Sequence, residues 1–227
     1  MPKISIIVPI YNEGAILPQS LPPILSLPLD KEVIAIDDGS SDASRDVLAS
    51  FSGESSLRIV RREKNGGKGS AVLAGLELAT GKYFIIFDAD SEYDPADIAH
   101  LLQKAEESND SRLAIYGSRF MGKNKLSFHY LVNRFLTSLT NLLFGSSLTD
   151  METCLKLVPR QALTQVTLSI KRFEIEPILT AQLLKHGYRI QESPVSYRRR
   201  SYREGKKIRP RDGIAAVIAL FRQKFSE

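Results

Sequence analysis

Strand-like segments alternate with helical segments through the first half of the chain, and this alternation constrains the fold more than any other feature. Apolar, β-branched runs with the length of buried strands occupy residues 3–8, 33–36, 57–60, 83–87 and 112–116. Helical patterns lie between them at residues 41–51, at 69–79 and from Asp94-Pro95 onward. The order predicts an α/β fold in which a mainly parallel sheet is covered by helices on both faces.

The second half has a different pattern. A long helix is predicted over residues 126–144, where Leu131, Phe135, Leu139 and Leu142 share one side. Further helices are expected at 175–185, closed by Gly187, and at 214–225, with short strands at 188–190 and 194–197. Four prolines in residues 16–28 predict that any helix there is short or broken.

Composition excludes several classes of protein. One cysteine, Cys154, rules out a disulfide framework and a cysteine-based zinc site, and the three histidines are scattered. The N-terminus has no charged-then-apolar signal pattern, and the longest uninterrupted apolar run, residues 213–221, is far below the roughly 18 residues of a membrane span. With 227 residues we expect one domain, or one domain with an appendage, in the cytoplasm.

Positive charge is concentrated near the C-terminus. The formal net charge is +5, but residues 198–211 alone carry eight basic residues and one acidic residue. This stretch has three interpretations: a solvated charged segment, a nucleic-acid contact, or a clamp on phosphate or anionic lipid. A single short tract argues against nucleic acid, and its place after the last predicted strand favours the phosphate or lipid interpretation.

Polar and glycine-rich turns follow each of the first four predicted strands. They are residues 9–14 (PIYNEG), 37–40 (DDGS), 65–69 (NGGKG) and 88–90 (DAD). In open parallel sheets, ligands bind at the carboxyl ends of the strands, so these turns predict one site on one edge of the sheet.

The tripeptide at residues 88–90 is the most specific of these turns. Asp88 and Asp90 project to the same side, and two hard oxygen ligands suit Mg²⁺ or Mn²⁺. The alternative is an acidic turn that only caps the helix starting at Asp94.

Two of the other three turns, at residues 37–40 and 65–69, each have two interpretations. Asp37 and Asp38 can accept hydrogen bonds from a base or a ribose, or the segment can simply cap the next helix. The turn around Lys68 can present backbone N–H groups and an ammonium to phosphate, or can be a flexible helix entry; its spacing is not that of a P-loop.

The ordered set VPIYNE, IDDGSSD, GGKG and FDAD resembles the family 2 inverting glycosyltransferases of the GT-A fold. Four later motifs resemble the dolichyl- or polyprenyl-phosphate sugar synthase branch: GSRF at 117–120, DMETCLK at 150–156, FEIEP at 173–177 and YREGKKI at 202–208. The resemblance covers roughly residues 3–213. It implies a GT-A domain over residues 1–197, with a nucleotide-sugar half at 1–120 and an acceptor half at 121–197. Residues 198–227 would form a basic loop and a C-terminal helix of the same unit.

The resemblance also implies roles for matching residues. The nucleoside and sugar donor would be held by Pro9, Tyr11, Glu13, Asp37, Asp38, Lys68 and Asp88, with Arg203, Lys206 and Lys207 closing over them. The metal, Mg²⁺ or Mn²⁺, would be bound by Asp88 and Asp90 with Glu92 in the place of a usual glutamine. Arg119 and Arg134 would meet the acceptor phosphate. Cys154 stands where the family motif has glycine, and either narrows the acceptor cavity or packs.

The mechanism depends on the acceptor. A phosphate monoester is already ionised near neutral pH and needs no general base, whereas a hydroxyl needs a carboxylate within hydrogen-bond reach. Asp150 is the first candidate for that base and Glu176 the second. Three functions stay open: transfer to a polyprenyl phosphate, transfer to a soluble or polysaccharide hydroxyl, and a non-catalytic nucleotide-sugar-binding subunit. Nucleic-acid binding is not expected.

The apolar sides of the helices predicted at 126–144 and 214–225 have basic neighbours. Such helices can lie at a lipid headgroup boundary, or their apolar sides can be core or dimer surface. We expect a peripheral protein at the cytosolic membrane face, with a homodimer or a membrane-protein partner as the alternative use of this surface.

Overall fold

The computed structural model describes residues 1–121, 128–168, 174–200 and 210–225. Its strands are β1 (Ile4–Ile10), β2 (Lys31–Asp37), β3 (Leu57–Arg61), β4 (Tyr83–Ile86), β5 (Leu113–Ser118), β6 (Lys156–Pro159) and β7 (Arg189–Pro194). Its helices are α1 (Leu17–Leu25), α2 (Ser44–Ser50), α3 (Lys68–Leu78), α4 (Ala96–Ser108), α5 (Phe128–Phe144), α6 (Ile175–Lys185) and α7 (Pro210–Phe225), with a 3₁₀ helix at Arg160–Thr164.

The strands form one sheet in the order β3-β2-β1-β4-β6-β5-β7. All neighbouring strands run parallel except β6, which is antiparallel to β4 and β5. The predicted α/β class with a mainly parallel sheet is confirmed. Sequence reasoning missed β6, because four residues that begin with a lysine and end with a proline do not show a strand pattern.

Both faces of the sheet are covered, as β1 illustrates. Ile4, Ile6 and Val8 pack in the core cluster that contains α1 and α4, while Ile7 packs in the cluster that contains α3 and α6. Successive side chains of a strand point to opposite faces, so an uninterrupted apolar run is what a doubly covered strand requires.

The predicted helix at 214–225 begins earlier in the structure, at Pro210, where proline suits the first turn. A third core cluster joins this helix to α5 through Leu136, Ala216 and Leu220. Among the described residues, no helix combines the length and the apolar character that crossing a bilayer requires.

The prediction of two short strands at 188–190 and 194–197 was wrong. One strand, β7, runs through the polar residues between them because all six of its positions pair with β5. Tyr197 lies beyond it and forms an isolated bridge with Tyr93.

Glu32 links several segments at the end of the sheet that lies opposite the polar turns. Its Oε1 accepts hydrogen bonds from Ser5 Oγ (2.6 Å), from Thr80 N–H (2.6 Å) and Oγ1 (2.9 Å), and from Gly81 N–H (3.1 Å). Burial alone would raise the pKa of Glu32, but these donors outweigh it and hold the pKa below its usual value. The carboxylate therefore ties β1 and β2 to the turn that precedes β4.

We predict that Glu32→Gln lowers the free energy of unfolding by about 1–3 kcal/mol, because a neutral amide oxygen accepts the four hydrogen bonds made to Oε1 more weakly than a carboxylate oxygen does. Because the pKa of Glu32 is depressed in the folded state, its contribution is fully present above the usual glutamate pKa and is lost as the pH falls through the folded value. Urea unfolding at pH 7 and at pH 3 measures both effects. Glu77→Gln, at an exposed position of α3, is the control. Equal stability of the two variants at pH 7 would contradict the prediction.

Candidate functional site

The carboxyl ends of the parallel strands bring the predicted turns to one edge of the sheet. Ile10, at the end of β1, pairs with Asp37 at the end of β2, and β4 lies directly on the other side of β1. The turn after β1 is bonded to the segment after β2: Asn12 N–H donates to Ser40 Oγ (3.0 Å) and Glu13 N–H to Ser44 Oγ (2.9 Å). These bonds fix the backbone that carries Tyr11 and Glu13, while Pro9 lies within β1.

Asp38 orders the glycine-rich turn. Its carboxylate is almost fully buried and accepts from Gly66 N–H (3.1 Å), from Gly67 N–H (2.8 Å) and from the guanidinium of Arg62. Asp37 is buried as well, and its Oδ1 accepts from Ser40 N–H at 2.9 Å. In this structure both aspartates are buried and fix the loops of the predicted nucleoside site by accepting hydrogen bonds from their backbone N–H groups.

Lys68 joins the two halves of the chain. Its Nζ lies 2.8 Å from Asp88 Oδ2 and 2.9 Å from Glu176 Oε1, at the N-terminus of α6. Burial alone would lower the pKa of Lys68, but attraction to Asp88 and Glu176 reverses the effect and raises it well above its usual value. Lys68 is therefore a fixed positive charge beside Asp88.

Asp90 and Glu92 face the segment that follows β7. Arg200 Nη2 lies 3.2 Å from Asp90 Oδ2, and its Nη1 lies 3.6 Å from Glu13 Oε2. Glu92 accepts from Tyr197 Oη (2.7 Å) on one oxygen and from Arg200 N–H (2.8 Å) on the other. Burial, reinforced by the charges of Asp88 and Glu92, raises the pKa of Asp90 to about 7.

Asp88 and Asp90 could provide two of the ligands of a divalent cation, and the predicted third ligand, Glu92, is engaged elsewhere. Two carboxylates provide hard oxygen ligands, and burial together with the charges of Asp88 and Glu92 raises the pKa of Asp90, so a bound cation would relieve the repulsion among these carboxylates. Within the described ranges, however, no three His, Cys, Asp or Glu side chains form a group that could hold a metal ion. Glu92, the predicted third ligand, instead uses both oxygens to anchor the segment that carries Tyr197 and Arg200.

A second polar centre lies on the acceptor side, around Asp150. Arg119 grips this fully buried carboxylate through Nε to Oδ2 (2.7 Å), Nη2 to Oδ1 (2.7 Å) and its own backbone N–H to Oδ2 (2.9 Å). Glu192 of β7 fixes the same turn by accepting from Thr149 N–H (2.7 Å) and Asp150 N–H (2.8 Å). Both oxygens of Asp150 are thus bonded to Arg119, which does not fit the general base predicted at this position.

Arg134 reaches the same turn from α5, where its Nη1 donates to the Thr149 carbonyl at 3.2 Å. The structure therefore brings Arg119 and Arg134 to the same turn, at residues 149–150. Cys154 is buried in the core cluster that also contains β1 and α4, which favours the packing interpretation. Arg203, Lys206 and Lys207 lie outside the described residues.

Sequence reasoning missed three residues that organise the site: Arg62, Arg200 and Glu192. Arg62 directly follows β3, so the strand-end rule that selected the other turns also points to it. Arg200 is one of several arginines in a basic stretch, and Glu192 is one polar residue in a strand. Nothing in the local sequence distinguishes either, because their partners are 42 or more residues away in the chain.

Comparison with protein families shows which family carries these motifs. The family model of glycosyl transferase family 2 matches residues 5–167, which span β1 to the 3₁₀ helix and include Asp88, Asp90, Arg119 and Asp150. The chain belongs to glycosyl transferase family 2. The predicted family membership is confirmed.

Among curated relatives, the chain is similar to the undecaprenyl-phosphate 4-deoxy-4-formamido-L-arabinose transferases of two bacteria. It is 27% identical to the Enterobacter sp. (strain 638) protein over 210 residues, which are 90% of this chain and 62% of that protein. It is 29% identical to the Photorhabdus laumondii protein over 183 residues, 78% of this chain and 55% of that protein. The chain thus spans less than two thirds of the length of these relatives.

Solved structures share the fold. A glucosyl-3-phosphoglycerate synthase from Mycobacterium tuberculosis, in complex with Mn²⁺, UDP and phosphoglyceric acid, matches with a TM-score of 0.74 at 18% identity, over 100% of this chain and 80% of that one. S. aureus TarS 1-349 in complex with UDP-GlcNAc matches with a TM-score of 0.64 at 16% identity, over 97% and 66%. At these identities the likeness establishes the GT-A fold alone.

We predict that Lys68→Met lowers the free energy of unfolding by about 3 kcal/mol, because it leaves the buried Glu176 and the half-buried Asp88 without their shared cation. Chemical denaturation at pH 7 measures this cost. Lys64→Met, which removes an exposed lysine of the same turn, is the matched control and should be close to neutral. A cost equal to that of the control would show that the bridge is not a structural link.

Proposed function

We propose that the chain catalyses transfer of a sugar from a nucleotide sugar to a polyprenyl phosphate at the cytosolic face of a membrane, with a divalent metal and inversion at the anomeric carbon. Family membership supports glycosyl transfer, and the two undecaprenyl-phosphate transferases support the lipid phosphate. The structural neighbours with bound UDP support a nucleotide donor.

One observation carries the choice of acceptor: both oxygens of the Asp150 carboxylate, on the acceptor side, accept hydrogen bonds from Arg119. Asp150 is fully buried and both of its oxygens accept from Arg119, so it holds that guanidinium in place and does not face an acceptor. Arg134 adds a second cation beside the same turn. A site with two arginines suits a dianionic phosphate, which needs orientation but no deprotonation.

Hydroxyl acceptors fit this arrangement less well. Their transfer requires a carboxylate that can accept a proton. The second candidate base, Glu176, has Oε1 bonded to the Lys68 ammonium at 2.9 Å, and Lys68 also holds Asp88. Neither candidate base therefore presents itself to an incoming hydroxyl. The non-catalytic interpretation is also less economical, since a binding subunit has no need of paired carboxylates at residues 88 and 90.

On the donor side, Asp88 and Asp90 would hold the Mg²⁺ or Mn²⁺ ion, whose bound charge would stabilise the leaving nucleoside diphosphate. Lys68 keeps the Asp88 carboxylate oriented. The buried Asp38 holds the glycine-rich turn, whose backbone would line the nucleotide. Tyr11 and Glu13 complete the proposed nucleoside site on the turn after β1.

On the acceptor side, Arg119 and Arg134 would orient the phosphate so that one of its oxygens attacks the anomeric carbon in line with the departing diphosphate. Holding both reactants in this geometry supplies much of the rate enhancement. Asp150 and Glu192 act through Arg119 and the backbone of residues 149–150, so they are positioning residues.

We predict that the purified chain releases nucleoside diphosphate only when divalent metal, donor and a short polyprenyl phosphate are all present. The donors to compare are UDP-glucose, UDP-N-acetylglucosamine and GDP-mannose, each with Mg²⁺ and with Mn²⁺. The matching polyprenyl alcohol should be inert, because no base is poised to deprotonate it. Isolation of the glycolipid product confirms the transfer.

Two results would contradict this assignment. Release driven by soluble hydroxyl compounds and not by the lipid phosphate would favour the hydroxyl acceptor. Tight metal-dependent nucleotide binding without release from any donor and acceptor pair would favour a binding subunit.

We predict that Arg134→Gln raises the KM for the polyprenyl phosphate about tenfold or more, the loss of roughly one charge-assisted hydrogen bond, while the KM for the donor changes little. Arg134→Lys should recover part of the loss, because it retains the charge and loses the planar fork. Initial rates over a range of both substrates measure the two constants. An equal rise in both KM values would place Arg134 outside the acceptor site.

A further inference from the structure

An apolar surface on α5 and α7 has no cover among the described residues. Large hydrophobic side chains are exposed at seven positions on these two helices: Leu131, Phe135, Leu142, Ile214, Ile218, Phe221 and Phe225. Leu142 and Phe225 are the most open, at 81% and 77% of their full exposure. Elsewhere in the described chain, only Met1 and Met121 are large hydrophobic residues of this kind. Such a concentration marks an interaction surface.

The two helices lie side by side and run in the same direction. Near their starts, a Cβ placed on Gly213 would lie 3.8 Å from Val132 Cγ1. Near their ends, Lys224 Nζ lies 5.7 Å from the centre of the Phe144 ring. Between these points, Leu136 packs with Ala216 and Leu220 in the third core cluster.

This arrangement puts both exposed stripes on one side. On α5 the stripe of 131, 135 and 142 precedes by one residue the packed residues 132, 136 and 143. On α7 the positions that face α5 are 213, 217, 220 and 224, and the exposed stripe of 214, 218, 221 and 225 comes one residue after each of them. Each residue of a right-handed helix is rotated by about 100° from the one before it. In two parallel helices that face each other, one residue backward on the first helix and one residue forward on the second point to the same side of the pair. Both exposed stripes therefore lie on one side of the α5–α7 pair. The inward sides hold the buried Thr137, Thr140, Ala216 and Ala219.

The charges beside this surface favour an anionic partner. Helix α5 contains no acidic residue, and α7 contains Asp212 against Arg211, Arg222 and Lys224. Arg222 and Lys224 are exposed at the end that also carries Phe221 and Phe225. A second copy related by two-fold symmetry would bring like charges together, since each patch would meet itself. Acidic lipid headgroups complement both the cations and the apolar side chains.

The surface also adjoins the acceptor centre. Arg134 lies one residue before Phe135 and three after Leu131, on the adjacent side of α5, and it contacts Thr149 beside Asp150. A polyprenyl phosphate bound there would keep its hydrocarbon chain in the bilayer. The helix that holds its phosphate must then lie at the membrane surface.

We propose that the exposed side of α5 and α7 docks onto an anionic phospholipid bilayer and sets the acceptor centre at headgroup level. The choice of occupant rests in part on the proposed function, but docking itself is measured without donor or acceptor. The apolar stripes enter the interface between headgroups and acyl chains, and Arg222 and Lys224 contact the headgroups.

The test is co-sedimentation of the 227-residue chain with vesicles of phosphatidylcholine, alone or mixed with phosphatidylglycerol. Phe135→Ser combined with Phe221→Ser should lower the partition coefficient by about tenfold or more, as expected for removing two aromatic side chains from an apolar phase. The matched control, Phe135→Leu with Phe221→Leu, should stay within about threefold of the parent chain. Arg222→Gln with Lys224→Gln should reduce the preference for phosphatidylglycerol several-fold.

Thermal unfolding establishes that the variants fold, since the exchanged side chains are exposed. Transfer to acceptor dissolved in detergent should survive the serine changes, while transfer in vesicles is lost. Docking is overturned if the parent chain stays in the supernatant, if the serine variant sediments like its parent, or if the parent is a dimer that the serine changes dissociate while neither form binds vesicles. Vesicle binding without any transfer would sustain the docking surface and refute the proposed function instead.

Discussion

The bridge from Asp88 through Lys68 to Glu176 is the interaction on which the rest of the site depends. Asp88 follows the parallel strand β4, Lys68 is the first residue of α3, and Glu176 lies in the first turn of α6, more than a hundred residues after Lys68. One buried ammonium between two carboxylates therefore fixes the donor half of the chain against the acceptor half. Removing any of the three would leave a buried charge without its partner, which is a large cost.

The acceptor centre is also held by a series of polar contacts. Glu192 holds the backbone of residues 149–150, that turn holds the Asp150 carboxylate, and the carboxylate holds Arg119. The chain of contacts converts a flexible arginine into a preoriented cation. Such preorganisation suits a reaction whose acceptor arrives already charged and needs only to be aligned. At this centre the carboxylate of Asp150 is fully buried and the guanidinium of Arg119 is the more exposed partner of the pair.

The rule that ligands bind at strand ends was sufficient to place the four polar turns on one edge, and the structure brings those turns together. It also points to Arg62, which was overlooked. The interpretation of individual carboxylates was less successful. Asp150 and Glu92 are acidic residues in the expected motifs, yet their oxygens bond to Arg119, Tyr197 and Arg200. Local sequence shows which residues carry charge, but it does not show which partner satisfies that charge after folding.

The sequence by itself determined the α/β class, the mainly parallel sheet and the family, because hydrophobic periodicity and motif spacing are local properties. Tertiary structure alone decided the antiparallel β6, whose buried Lys156 donates to the carbonyls of Met151 and Thr153. It also decided that Leu131, Phe135 and Leu142 face outward while Leu136 packs inward on the same helix. An apolar helix side looks the same in sequence whether it is core or surface. The neighbour that covers it exists only in the folded chain.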